Sequence, residues 1–385
     1  MQESTRQLTD PLELNPLLSL EAHGQSVWLD FIRRGMLTSG ELQQLIEADG
    51  LSGVTANPSI FEKAIDGSHD YDQAIRALGL EGKSPDQMYE TIAVEDVGHA
   101  ADLFRPVFER TEGRDGFVSL EVSPRLAHDT DGTIVEAHRF WAALDRPNVL
   151  IKVPATREGL PAIRQLTSEG INVNITLLFG LPRYREVTEA YLAGLEERLA
   201  KGYPVNKIQS VASFFLSRID VLVDPLLEEL MQAGGGKVEL AVATHGEIAV
   251  ASAKVAYRIY QEVFEQGERF RALARQGAHT QRLLWASTGN KNPAYADLKY
   301  VEPLIGPDTV NTMPIETLDA YRDHGQPAFT VTKNVAQAQR VLAHLAEVGI
   351  EIDQITQQLE DEGVRKFDIA LDRLLEALEQ RRTHG

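Results

Sequence analysis

Val149-Leu150-Ile151-Lys152-Val153-Pro154 is the stretch whose reading decides the fold. It is short, rich in β-branched residues and ended by a proline, which describes a strand covered on both faces. Working outward, similar runs recur at Val27–Phe31, Gly53–Asn57, Phe117–Val122, Val173–Phe179, Ile208–Phe215, Leu283–Ser287 and Thr309–Met313. Helical patterns fit between them. Arg157–Glu169 carries Leu160, Ile163 and Leu166 on one face and stops at Gly170, Pro182–Lys201 opens on a proline and stops at Gly202, and Ala249–Gln266 is apolar along one side. Glu62–Glu112 reads as two or three extra helices, and Ile352–Arg382 as a pair of helices over the body. Eight strand–helix units predict an α/β fold, a (β/α)8 TIM barrel with extra helices between strands 2 and 3 and at the C-terminus. An open doubly wound sheet is the competitor, but no G-x-G-x-x-G opens a helix after any strand. With no Pro/Gly/Ser linker, residues 1–385 read as one barrel domain, with an N-terminal extension over about 1–24 and C-terminal helices over about 330–385.

Composition narrows the function. Lys and Arg number 38 against 57 Asp and Glu, a net charge of −19, which argues against a nucleic-acid partner or an anionic membrane surface. A chain with 0 cysteines has no disulfide, thiolate metal site or cysteine nucleophile. The first residues lack the basic start and apolar stretch of a secretory signal, and no apolar run approaches the ~18 residues of a membrane span, so a cytoplasmic protein is expected. The 10 histidines include no H-x-x-x-H or H-x-H pair, so no metal site is expected. Gly234-Gly-Gly-Lys-Val238 lacks the Ser or Thr and the glycine spacing of a phosphate loop and reads as a turn. Asn174-Ile-Thr176 has the form of a glycosylation sequon but falls in an expected buried strand.

Polar residues stand where these strands should be apolar, at or near their C-terminal ends: Asp30, Asn57, Glu121, Lys152, Asn174 with Thr176, Ser213, Ser287 with Thr288, and Asn311 with Thr312. In a barrel those ends converge on one face, where the active site is built. Singly, Ser287, Thr288, Asn311 and Thr312 read best as satisfied core hydrogen bonds. Lys152 admits two readings, because burying an ammonium is costly unless it is paired or neutralised. Either it is structural, paired with Glu121 on the adjacent strand or snorkelling out of the barrel mouth, or it is an amine made nucleophilic by its surroundings and able to form a Schiff base with a ketone. The second needs acid–base partners, which Asp30 and Glu121 could supply, the latter with Thr176 as a water holder. Asn57 and Asn174 could fix substrate hydroxyls. Ser213 and Arg218, five residues apart at a strand end and helix start, suit a phosphate anchor, and an arginine paired with a surface carboxylate fits the same spacing.

At these residues the chain resembles the transaldolase family. The stretches that carry the resemblance are Gly53-Val-Thr-Ala-Asn-Pro-Ser-Ile60, Ser119-Leu-Glu-Val122, Val149-Leu-Ile-Lys-Val-Pro-Ala-Thr156, Asn174-Ile-Thr-Leu-Leu-Phe179 and Ser213-Phe-Phe-Leu-Ser-Arg-Ile219, in the family's order. Leu284-Trp-Ala-Ser-Thr-Gly-Asn-Lys-Asn-Pro293, Gly306-Pro-Asp-Thr-Val-Asn-Thr-Met-Pro314 and Glu362-Gly-Val-Arg-Lys-Phe367 resemble its longer bacterial subgroup. The resemblance implies a barrel that transfers a dihydroxyacetone unit between sugar phosphates without metal or organic cofactor. It places the Schiff-base lysine at Lys152, the acid/base for carbon–carbon cleavage at Asp30 and the water-holding pair at Glu121 and Thr176. It puts hydroxyl-binding asparagines at Asn57 and Asn174 and the phosphate site at Ser213 and Arg218. Many members carry a further phosphate-binding arginine after the seventh strand. Here that region reads Ser287-Thr-Gly-Asn-Lys291, which makes Lys291 the candidate substitute. Many also have a less bulky context than Trp28-Leu-Asp-Phe around the aspartate. Related fructose 6-phosphate aldolases are much shorter and typically have tyrosine where this chain has Phe215. A catalytically silent phosphosugar-binding barrel is the remaining rival, against which the intact Asp30, Glu121 and Lys152 stand. Monomer and homodimer are both compatible with the sequence.

Overall fold

The computed structural model describes residues 15–384. Residues 1–14, most of the expected N-terminal extension, therefore lie outside the described residues. Eight parallel strands close into a barrel in sequence order: β1 (Gln25–Leu29), β2 (Gly53–Thr55), β3 (Phe117–Glu121), β4 (Val149–Pro154), β5 (Val173–Leu178), β6 (Ser210–Phe215), β7 (Gln281–Ala286) and β8 (Thr309–Met313). β8 pairs back onto β1 from Gln25↔Thr309 to Leu29↔Met313, which completes the ring. This is the (β/α)8 barrel that the sequence predicts.

Strand pairing explains the alternation in the sequence. Following the register around the ring, Trp28 lies beside Gly53, Thr55 beside Ser119, Glu121 beside Lys152, Lys152 beside Asn174, and Ser213 beside Leu284. These residues occupy the inward positions, while their neighbours Val27, Leu29, Val54, Leu120, Ile151, Val153, Ile175 and Phe214 point to the helical shell and are almost fully buried there. Gly53 is required at its place, because a Cβ there would lie 2.5 Å from the Trp28 indole, which fills the barrel's lower interior.

The helices follow the expected pattern with differences that have local causes. The segment after β2 forms three helices, Pro58–Asp66, Asp72–Leu80 and Pro85–Arg110. The last of these opens on a capping box in which Ser84 and Gln87 satisfy each other's backbone donors. The glycine-rich segment is a turn, with Gly234 and Gly235 at positive φ. The expected helix Ala249–Gln266 is Ile248–Tyr260 followed by a π turn at Gln261–Glu265.

One expectation is overturned at the C-terminus. Ile352–His384 is a single helix of 33 residues, not a pair. Gly363 resembles a break in the sequence, yet it continues the helix, and a Cβ on it would lie 2.8 Å from a methyl of Leu177. The glycine allows this helix to lie close over the end of β5. Its later turns reach the loops of the opposite side, where Asp372 accepts a 2.6 Å bond from Arg125 and Arg381 donates to Asp72 at 2.9 Å. The helix thus crosses the C-terminal mouth of the barrel. Among the described residues no helix is long and apolar enough to cross a membrane.

Candidate active site

At the mouth, β3 and β4 place Glu121 and Lys152 side by side. Lys152 Nζ lies 3.0 Å from Glu121 Oε2, with both side chains at most 5% exposed, and its other contact is a long 3.4 Å bond to the carbonyl of Ala56. Burial pushes the Glu121 carboxyl above its ordinary value. The adjacent Lys152 charge opposes this, Asp30 adds to it and Arg218 opposes it. A carboxyl drawn towards its protonated form beside an amine can pass a proton to a group leaving from that amine. The pairing reading of Lys152 therefore holds and is compatible with the nucleophile reading.

Asp30 follows β1, and its side chain accepts a 2.6 Å bond from Thr55, whose hydroxyl also lies 2.8 Å from that of Thr312. It is only partly buried, and its charge acts on the Glu121 carboxyl. Asn57 follows β2 and caps the helix Pro58–Asp66, its Oδ1 accepting from the Ile60 N–H at 3.0 Å. Asn174 is fully buried and held from both sides: its amide donates to Ser119 at 3.0 Å and its carbonyl accepts from Ser213 at 2.7 Å. The hydroxyl of Thr176, two residues on, is buried without a hydrogen-bond partner among the described residues. Just beyond it β5 bulges, with Leu177 at φ 54° and the register to β6 shifted. Bulges of this kind re-aim side chains beside active sites.

Arg218 stands at the start of the helix Ser217–Ala233. Its guanidinium lies over the rings of Phe215, at 5.6 Å, and Phe367, at 5.9 Å. Its Nη1 is buried without a hydrogen-bond partner, and burial pulls its pKa down against the charges of Asp30, Glu121 and Glu362. A partly buried guanidinium with no carboxylate in contact among the described residues bears part of the cost of desolvation, and an anionic ligand would relieve it.

The structure brings Asp30, Glu121, Lys152, Asn174, Thr176, Phe215 and Arg218 to one face, with Asn57 at its edge. It ties Ser213 to Asn174 rather than to Arg218. Lys291 is exposed and lines a cavity of about 240 Å³ with Asp220, Asp224 and Glu228, an acidic setting that competes with any phosphate for its charge. Ser287 and Thr288 have structural partners, Ser217 at 2.9 Å and the Thr312 carbonyl at 3.1 Å. The sequence reading passed over Ser119, which orients Asn174, and Thr55, which orients Asp30. A serine two residues before Glu121 in an otherwise apolar strand was the available signal for the first. Phe367 ends a stretch that resembles the longer subgroup, though its place beside Arg218 is not legible there, and nothing local announces Tyr89, whose phenol is raised by burial and further by the Glu121 charge.

A family model described as transaldolase/fructose-6-phosphate aldolase matches residues 27–378. The chain belongs to the transaldolase/fructose-6-phosphate aldolase family. Curated relatives named transaldolase align along nearly all of both chains. That of Mycolicibacterium paratuberculosis is 49% identical over 94% of this chain and 96% of its own. That of Trichodesmium erythraeum is 46% identical over 95% and 97%. The transaldolase 1 of Streptomyces avermitilis is 50% identical over 93% of each. The resemblance read from the motifs and the barrel read from the strand pattern both hold, and the family's segments span the mouth with Lys152 and the crossing helix above it.

Proposed function

We propose that the chain is a transaldolase of the non-oxidative pentose phosphate pathway. It moves a dihydroxyacetone unit from sedoheptulose 7-phosphate or fructose 6-phosphate to glyceraldehyde 3-phosphate or erythrose 4-phosphate, through a Schiff base on Lys152. The observation that carries this reading is the buried Lys152 on β4, 3.0 Å from an equally buried carboxyl and sharing the mouth with an arginine that lacks a counter-ion. The full-length relatives named transaldolase support it. A reaction of soluble sugar phosphates requires neither membrane nor nucleic acid and suits the cytoplasm.

In this mechanism the Lys152 amine attacks the C2 carbonyl, and the carbinolamine loses water as Glu121 delivers a proton to the departing hydroxyl. Thr176, whose hydroxyl has no protein partner, shares that water with Glu121. Asp30 takes the proton of the C4 hydroxyl, the C3–C4 bond breaks, its electron pair passes into the iminium, and an aldose leaves. The remaining enamine adds to the acceptor aldehyde by the reverse steps, and hydrolysis frees the lysine. Asn57 and Asn174 hold substrate hydroxyls, Phe215 forms the apolar wall, and Arg218 anchors the terminal phosphate. Ser213 acts first through Asn174, and Lys291 is the outer cation that a longer substrate could meet.

The test is trapping. Incubation with fructose 6-phosphate followed by borohydride leaves a three-carbon adduct that peptide mapping places on Lys152 and that Lys152→Ala lacks. No adduct with either ketose phosphate in folded protein would sink the reading. Asp30→Asn should lower kcat by about 10²–10⁴-fold. The family's other named activity, a fructose-6-phosphate aldolase, would release free dihydroxyacetone without an acceptor. Phe215 in place of the tyrosine typical of those enzymes favours transfer.

A further inference from the structure

Arg218 has a long side chain with several rotatable bonds, and among the described residues no hydrogen bond fixes its Nη1. Two aromatic rings flank it. Phe215 comes from the end of β6, one residue before the turn into the arginine's own helix, so local chain geometry supplies that ring. Phe367 comes from the helix Ile352–His384, and its ring centroid lies 5.9 Å from the guanidinium carbon. Both phenylalanines are under a tenth exposed, so the guanidinium sits against apolar faces. Two features bring the second ring there. Gly363, one turn earlier, lets the helix approach Leu177 at the bulge of β5, and Gly180 admits Thr356, whose hydroxyl would lie 3.0 Å from a Cβ at that position. Val364 and Leu371 continue the same buried stripe.

We propose that Phe367 is a positioning residue for substrate phosphate: with Phe215 it flanks the Arg218 guanidinium and holds it, free of a carboxylate contact, for the terminal phosphate of donor and acceptor. The inference rests on the reading of Arg218 as the phosphate anchor. The physical basis is the attraction between a guanidinium and an aromatic face within about 6 Å, which strengthens when water is excluded. A planar cation confined between two rings keeps its N–H edge free, whereas a carboxylate partner would occupy that edge. The crossing helix thereby discriminates phosphorylated from unphosphorylated sugars without touching the reacting carbons.

The test uses the full chain with Phe367→Leu, which keeps apolar packing but removes the ring, and Phe367→Tyr, which keeps the ring. Binding of inorganic phosphate is measured by calorimetry, KM and kcat with fructose 6-phosphate, and borohydride trapping with unphosphorylated dihydroxyacetone. The leucine variant should weaken phosphate binding and raise KM for fructose 6-phosphate by about tenfold. Its kcat and its yield of dihydroxyacetone adduct should stay at the wild-type level, and the tyrosine variant should lie within about twofold of wild type in all three. Unchanged phosphate binding would overturn the proposal. So would an equal loss in phosphate binding and dihydroxyacetone trapping, which is the signature of a merely structural residue. Should leucine unfold the chain, Phe367→Met carries the same comparison. A wild-type protein that traps no adduct would count against the Schiff-base reading, and the phosphate-binding arm would still decide the role of Phe367.

Discussion

The two ends of this barrel both bury a cation beside a carboxylate, and they treat it in opposite ways. At the N-terminal floor, Arg282 donates to Ser26 at 2.8 Å, to the Arg114 carbonyl at 2.9 Å and to Asp115 at 3.1 Å. Asp115 also accepts from Ser26 at 2.5 Å and from the Trp28 indole at 3.1 Å. At the mouth, Lys152 has one carboxylate and one long bond, Arg218 keeps an unpartnered Nη1, and Thr176 an unpartnered hydroxyl. A buried polar network whose members are satisfied rigidifies a fold, and one left incomplete costs stability. The Arg282–Asp115 network is finished by the protein. The mouth is finished by a substrate.

That contrast can be broken most forcefully at the floor. Arg282→Ala leaves Asp115 buried with its ion pair gone, and should destabilise the protein by about 3–5 kcal/mol. Denaturant unfolding measures this, while kcat of the remaining folded enzyme stays near wild type. A variant of normal stability and poor activity would show that floor and mouth are not separable.

At the mouth the expected effect moves from stability to binding. Arg218→Met removes a partly buried cation that has no counter-ion contact among the described residues, so unfolding free energy should stay near that of wild type. KM for fructose 6-phosphate should rise by roughly 10–100-fold, the worth of a charge-assisted bond to phosphate. Lost stability with unchanged KM would mean that this arginine belongs with the floor in kind.

The smallest effect sharpens the comparison through pH. The folded state raises the Glu121 carboxyl above its ordinary 4.5, with burial the main cause. Its contribution to stability is therefore full below about that pH and is lost as pH rises through the folded value, because the unfolded chain releases the proton first. Unfolding free energies of wild type and Glu121→Gln measured upward from pH 4.5 should diverge, with the wild type showing the steeper decline. Parallel curves would refute the assignment.

The same contrast explains what the sequence disclosed and what it hid. β4 and β8 were legible to the residue, since their apolar runs end where the strands end. β1 and β7 were read as starting at Val27 and Leu283, two residues late, because Gln25, Ser26, Gln281 and Arg282 look like loop. They are strand residues: Ser26 and Arg282 meet at the floor, and the amide nitrogens of Gln25 and Gln281 find partners beside their own strands, Gln281 donating to Ser210 at 3.0 Å. β2 was read as reaching Asn57, which instead leaves the strand to cap a helix. The mouth residues were legible for the opposite reason: polar side chains at the C-terminal ends of apolar strands have no local partner to hide them. What stayed illegible depends on contacts between distant segments. The second ring on Arg218 comes from a helix whose glycine reads as a break, and the tie of Ser213 to Asn174 is a matter of register rather than composition.

The floor also bears on how the barrel is assembled in time. Its bonds join Arg282 to Ser26, 256 positions away, and to Asp115, 167 positions away. Bonds that close loops of this length are expected to form late in folding, after most of the entropy of bringing those segments together has been lost. Interactions that appear only after the rate-limiting closure act on the return journey. The floor is thus a latch: without Arg282 the protein should refold at nearly its usual rate and open many times faster, with its working lifetime set at the end of the barrel where no chemistry occurs.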